Sequence, residues 1–187
     1  MPNQPYQPLI NALLKQQQAE PALPPVASWN PPFSGDIDIR IASNGSWYHQ
    51  GKIIERQSLV KLFSGVLKRE GDDYFLVTPV EKWRIQVDTK PFFIALLDVV
   101  DKGTPQQTLM FTCNTGDYVV ASSSHPIKVD VDPQSGEPSP HILVRDNLQA
   151  TISRAVFYQL ADIAQEFEGA DDVCYGVLSR GQFFPLE

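Results

Sequence analysis

The side chains best able to do chemistry together fall in one block. Trp47, Tyr48 and His49 are consecutive, and Thr78, Glu81, Lys82 and Arg84 follow a short way on. Two cations, a carboxylate, an imidazole and two aromatic rings suit a small anionic or planar ligand. The cations would pair with its charge and the rings would stack on its flat part. Strand alternation sends Lys82 and Arg84 to one face and Trp83 and Ile85 to the other. The plainer alternative is a ladder of surface ion pairs over packed rings, which contributes little to stability.

Other combinations offer less. His49, His125 and His141 lie in turns and loops with no metal-ligand spacing between them. Asp130–Glu137 has the look of a calcium loop, but Pro133 and the missing later ligands depart from the twelve-residue pattern, so a turn is expected. Ser122, Ser123 and Ser124 precede His125, yet neighbours on a strand point to opposite faces and make no nucleophile–base pair. Cys113 sits in an apolar run, where burial dulls a thiol. Neither GxGxxG nor a Walker pattern occurs. We therefore expect no catalytic set, no metal and no cofactor. The enzymatic alternative uses Glu81 and His49 as acid and base in a cleft between two units.

Elements must position these residues. Residues 36–41 alternate as a half-buried strand, and Asn44-Gly45 turns the chain into Ser46–His49. Gln50-Gly51 turns it again into residues 52–54. An amphipathic helix over about 56–70 gathers Leu59, Leu62, Phe63, Val66 and Leu67 on one arc, with Lys68 and Arg69 in its last turn. Strands follow at 74–77, 82–87, 108–113, 117–121 and 127–131. The most apolar run, residues 91–100, reads as a central strand buried on both faces.

A second helix over about 152–167 repeats the first at an offset of 97, pairing Leu59 with Val156, Phe63 with Leu160 and Val66 with Ile163. Two residues further on, Gly71-Asp72-Asp73 meets Ala170-Asp171-Asp172. The fold class is thus α+β, with two related units, each a mainly antiparallel sheet with one amphipathic helix. The boundaries read from the sequence are 1–35 for an N-terminal helix (residues 8–19) and Pro-rich arm, 36–100 for the first unit and 101–187 for the second.

Bulk properties narrow the function. The chain has 187 residues, 42% of them hydrophobic and 20% charged, and a formal charge of −7. Residues 1–100 are charge-neutral, so the whole deficit lies in residues 101–187. This balance argues against nucleic acid and against anionic membranes. The first twenty residues read as no secretory signal, and two distant cysteines suit buried thiols in a cytoplasmic protein.

The block also carries a resemblance. Gly45, Trp47 and Tyr48 form a Gly-x-Trp-[Phe/Tyr] hairpin, and Leu59, Val60, Leu62 and Phe63 a Leu-Val-x-Leu-Phe helix. Tyr74, Leu76, Val77, Thr78, Pro79, Glu81 and Lys82 form a Tyr-x-Leu-Val-Thr-Pro-x-Glu-Lys strand. Together they resemble a bacterial family of the domain-of-unknown-function kind. The resemblance implies tandem α+β units, no established activity, no catalytic residues to carry over, and at most a signalling or ligand-sensing role. The expectation is a non-enzymatic module that senses a small molecule or binds a protein partner, with self-association through the arm open.

Overall fold

The structure is a computed structural model and describes residues 23–168 and 173–187. The helix expected at 8–19 and the Ala170-Asp171-Asp172 match lie outside these residues. The chain divides into two compact units, Met1–Asp88 and Thr89–Glu187. The sequence placed the boundary after residue 100. The structure moves it because Phe92–Val100 is a strand of the second unit, hydrogen-bonded on both sides to strands of that unit.

Among the described residues of the first unit, a 3₁₀ turn, Val26–Ser28, precedes six strands and one helix. The strands are β1 (Phe33–Ile41), β2 (Trp47–His49), β3 (Lys52–Ile53), β4 (Leu67–Glu70), β5 (Asp73–Val77) and β6 (Lys82–Val87). Helix α1 (Gln57–Gly65) lies between β3 and β4. The sheet order is β3-β2-β1-β6-β5-β4. Two antiparallel meanders meet at its centre, where β1 and β6 run parallel. Helix α1 carries the chain from one sheet edge to the other, as a parallel central pair requires.

β1 reads exposed–buried along its length, and Ile39 and Ile41 point into the core with Trp47, Leu76 and Ile85. From α1, Val60, Leu62 and Phe63 close over them. Each such side chain stabilises by about 1.5–3 kcal/mol when fully buried. The 3₁₀ segment lies along β4, and Lys68 Nζ donates to the Trp29 carbonyl at 2.7 Å.

The helix is shorter than its pattern suggested. It ends at Gly65, and Leu67–Glu70 is strand β4, with Leu67 opposite Leu76 and Lys68 opposite Phe75. Lys68 and Arg69 therefore answer no helix dipole. Leu, Lys, Arg and Glu favour helix intrinsically, and pairing with β5 overrides that preference.

In the second unit the strands are β7 (Phe92–Val100), β8 (Thr108–Cys113), β9 (Tyr118–Val120), β10 (Ile127–Val131), β11 (Pro138–Arg145) and β12 (Leu148–Ile152). Their order is β10-β11-β12-β7-β8-β9, with β7 and β12 parallel at the centre. Helix α2 (Arg154–Asp162) follows, with Ser153 Oγ accepting from the Val156 amide. A separate three-stranded sheet ends the chain: β13 (Gln165–Glu168), β14 (Val173–Ser179) and β15 (Gln182–Pro185). The buried Ser179 hydroxyl joins it to the larger sheet, accepting from the Leu109 amide at 3.0 Å and donating to the Ala121 carbonyl at 2.8 Å.

β7 is central, but only Phe92 and Ile94, on one face of its first half, are buried; Leu96 is 60% exposed and Val100 46%. Helix α2 stops at Asp162, so Phe167 lies on β13 and is half exposed. The offset of 97 does align the nine-residue helices end to end. The sheets, however, match differently. Strands β1–β6 and β7–β12 share one topology, in which α1 joins the third and fourth strands whereas α2 follows the sixth. The two helices thus hold unlike places. With nine-residue helices against this much strand, the fold is sheet-dominated, and α+β describes it only coarsely.

Candidate functional site

A two-residue turn sets the geometry of a small pocket in the first unit. Gln50 and Gly51 take φ values of 48° and 72°, as a tight hairpin turn requires. β2 and β3 then pair with His49 opposite Lys52 and Tyr48 opposite Ile53. Directly opposed residues share a face, so the imidazole and the ammonium stand side by side. Below them, against α1, is a half-enclosed pocket of about 270 Å³. Ile39, Ile54, Leu59 and Phe63 form its apolar walls, and His49, Gln50, Lys52 and Ile53 complete it. Burial lowers the His49 pKa, and the Asp38 carboxylate partly opposes this. The ring is therefore neutral at pH 7, with one nitrogen donating and one accepting. Behind the wall, Trp47 stacks on Phe63, ring centroids 6.2 Å apart, and accepts at its carbonyl from the Ile54 amide.

The opposite face is a ladder of ion pairs. Lys82 Nζ donates to Glu70 at 2.8 Å and lies over the Phe75 ring; Lys68 reaches the other Glu70 oxygen at 3.2 Å. Arg84 donates to Asp36 at 2.6 Å, stands 3.9 Å from Asp73 and covers the Phe33 ring. Arg40 grips Asp88 through two hydrogen bonds and lies over Tyr48. Each carboxyl is held below its usual pKa, Glu70 chiefly by Lys82, Asp36 by Arg84 and Asp88 by Arg40. A broad depression of about 890 Å³ on this unit is lined by Asp36, Asp38, Asp72, Asp73 and Asp88 beside Arg84.

The residues singled out from the sequence are therefore divided. Register puts Tyr48 on the face of Arg40, Lys82 and Arg84, and Trp47 and His49 on the other. β1 separates β2 from β6. Trp47 is buried. Thr78 is buried too, and its hydroxyl accepts from the Val80 and Glu81 amides, which shapes the β5–β6 turn. The Glu81 carboxylate accepts from the Trp83 indole at 3.4 Å. His49 opposes Ile39, whereas Glu81 precedes the strand that begins opposite Phe33. Roughly 15–20 Å of strand lies between them, too far for acid and base to serve one reacting atom.

Sequence reasoning missed Lys52, Ile54 and Leu59. A signal existed: a two-residue Gln-Gly turn forces His49 and Lys52 onto one face.

Because the cations of the ladder are matched by its own acids, Arg84→Gln should shift the melting temperature by no more than about 2 °C. Differential scanning calorimetry checks this.

In the second unit, burial pushes the Cys113 thiol up to about 12, which leaves it inert at neutral pH. The His125 ring contacts the Leu143 carbonyl at 3.0 Å, and the Asp132 carboxylate accepts from the Gln134 and Ser135 amides. Asp132 is thus engaged within its own turn, and His125 is held against β11. Among the described residues no helix is long and apolar enough to cross a membrane.

Two sheet-dominated units, the first with a small pocket under a short helix, define the class. Family comparison makes it specific. The N-terminal domain of the domain-of-unknown-function family DUF1285 matches residues 24–90, and the C-terminal domain of that family residues 91–186. The chain belongs to the DUF1285 family. A solved family member from Silicibacter pomeroyi is 45% identical with a TM-score of 0.81, over 93% of either chain. Another, from Shewanella baltica, is 24% identical with a TM-score of 0.53, over 67% of this chain and 91% of its own; it supports the fold alone. No curated protein matches. The family division after residue 90 falls beside the structural one after Asp88.

Proposed function

We propose that the chain is a small-molecule-sensing module whose ligand enters the pocket between α1 and the β2–β3 hairpin. The observation that carries this reading is the pocket itself. It has apolar walls, a polar mouth and a volume that suits on the order of ten non-hydrogen atoms. His49 is the one residue of the sequence-derived set that lines it. A cytoplasmic setting agrees with two free cysteines, Cys113 and Cys174. The shared topology of the six-stranded sheets supports two related units, one of which has gained a pocket-forming helix between its meanders.

The test is thermal stabilisation across a metabolite collection. A true ligand raises the melting temperature of the wild-type chain and of Arg84→Gln, and fails with Leu59→Trp, which fills the pocket from α1. Stabilisation that survives Leu59→Trp but disappears in Arg84→Gln would move the site to the ion-pair face and end this reading.

A further inference from the structure

The pocket reading can be carried further, to the chemistry of what it holds. Charge is distributed unevenly over the first unit. The broad depression has five aspartates and one arginine along its wall. The small pocket has no acidic residue in its lining and one cation, Lys52. No ion-pair partner for Lys52 occurs among the described residues. Asp38 acts on His49 from outside the lining, so it is Lys52, the cation of the lining itself, that favours an anion at the mouth of the pocket.

We infer that the pocket selects a small monocarboxylic acid with an apolar chain or ring, its carboxylate between Lys52 and His49 and its apolar part against Phe63 and Leu59. Hairpin register supports the paired head group, since His49 and Lys52 are directly opposed across β2 and β3. Lys52 supplies charge-assisted hydrogen bonds, and the neutral imidazole adds one N–H donor. The walls reward apolar area in the remainder of the ligand. A phosphate ester fits less well: a second negative charge would enter an apolar site with one cation to meet it.

This inference rests on the pocket reading above, and the experiment separates the two. Hexanoate and hexanol are titrated into the full ¹⁵N-labelled chain, followed by amide chemical shifts. Hexanoate should move the resonances of residues 49–54 and 59–63. Its affinity should fall roughly tenfold in Lys52→Gln and vanish in Leu59→Trp, and hexanol should bind more weakly than hexanoate. If hexanol binds as well as hexanoate, or Lys52→Gln leaves hexanoate unaffected, the carboxylate preference is overturned while the pocket stands. If neither compound moves these resonances at millimolar concentration, the pocket reading is overturned as well.

Discussion

Gly176→Ala should destabilise the second unit by about 3 kcal/mol or more. Gly176 lies on β14, buried, with Gln165 on one side and Pro185 on the other. A β-carbon there would overlap the Phe184 carbonyl oxygen and stand 2.5 Å from the Phe183 ring. The first obstacle is backbone of the paired strand, so relief requires β14 and β15 to part. The second is a ring that covers the glycine and stacks on Phe167 at 4.7 Å, so the ring cannot swing away without losing that stack. Gly181 makes the control. Its φ is +74° and nothing lies within 4 Å of the added carbon, so alanine there meets only backbone strain, about 1 kcal/mol. Urea denaturation of the two variants should separate them clearly. Equal losses would mean that the β14–β15 packing is looser than described.

Trp47→Ala should cost about 4 kcal/mol, in the range for emptying a large aromatic site. Trp47 is 1% exposed and stacks on Phe63. Its indole nitrogen is buried with no hydrogen-bond partner among the described residues. An unsatisfied buried donor costs about 1–3 kcal/mol. Trp47→Phe keeps an aromatic ring against Phe63 and removes that donor. The lost volume and the relieved donor then largely offset each other, and this variant should be at least about 2 kcal/mol milder than Trp47→Ala. Chemical denaturation measures both. A phenylalanine variant as damaged as the alanine one would show that the indole N–H makes a hydrogen bond in solution.

These two sites differ in how far the sequence reveals them. Trp47 is visible as the aromatic of a hairpin just after Asn44-Gly45, but its residue type suggested a ring for a ligand, and the structure gives it to the core. Gly176 carries no such sign; its constraint comes from Phe183 and Phe184 reaching across from β15. The same division holds more widely. Local signals were legible: the Asn44-Gly45 and Gln50-Gly51 turns, the α1 face of Leu59, Leu62 and Phe63, and the equal helices at an offset of 97. Non-local pairing was not. Val66–Glu70 continues a helical pattern by composition, and only β5 makes it a strand. The parallel contact of β1 with β6 depends on residues far apart in the chain, and it is this contact that separates Trp47 and His49 from Lys82 and Arg84. Consecutive residues on β2 point to opposite faces, so a cluster read from adjacency was bound to divide. The self-matching of the ladder, Lys82 with Glu70 and Arg84 with Asp36, likewise needs strand neighbours that spacing does not supply.

The most direct test is a crystal structure of the chain with a compound that stabilises it thermally. The account predicts density enclosed by Phe63, Leu59 and Ile54, with its polar end between His49 and Lys52. Density over Lys82 and Arg84, with the α1 pocket filled by its own side chains, would contradict it.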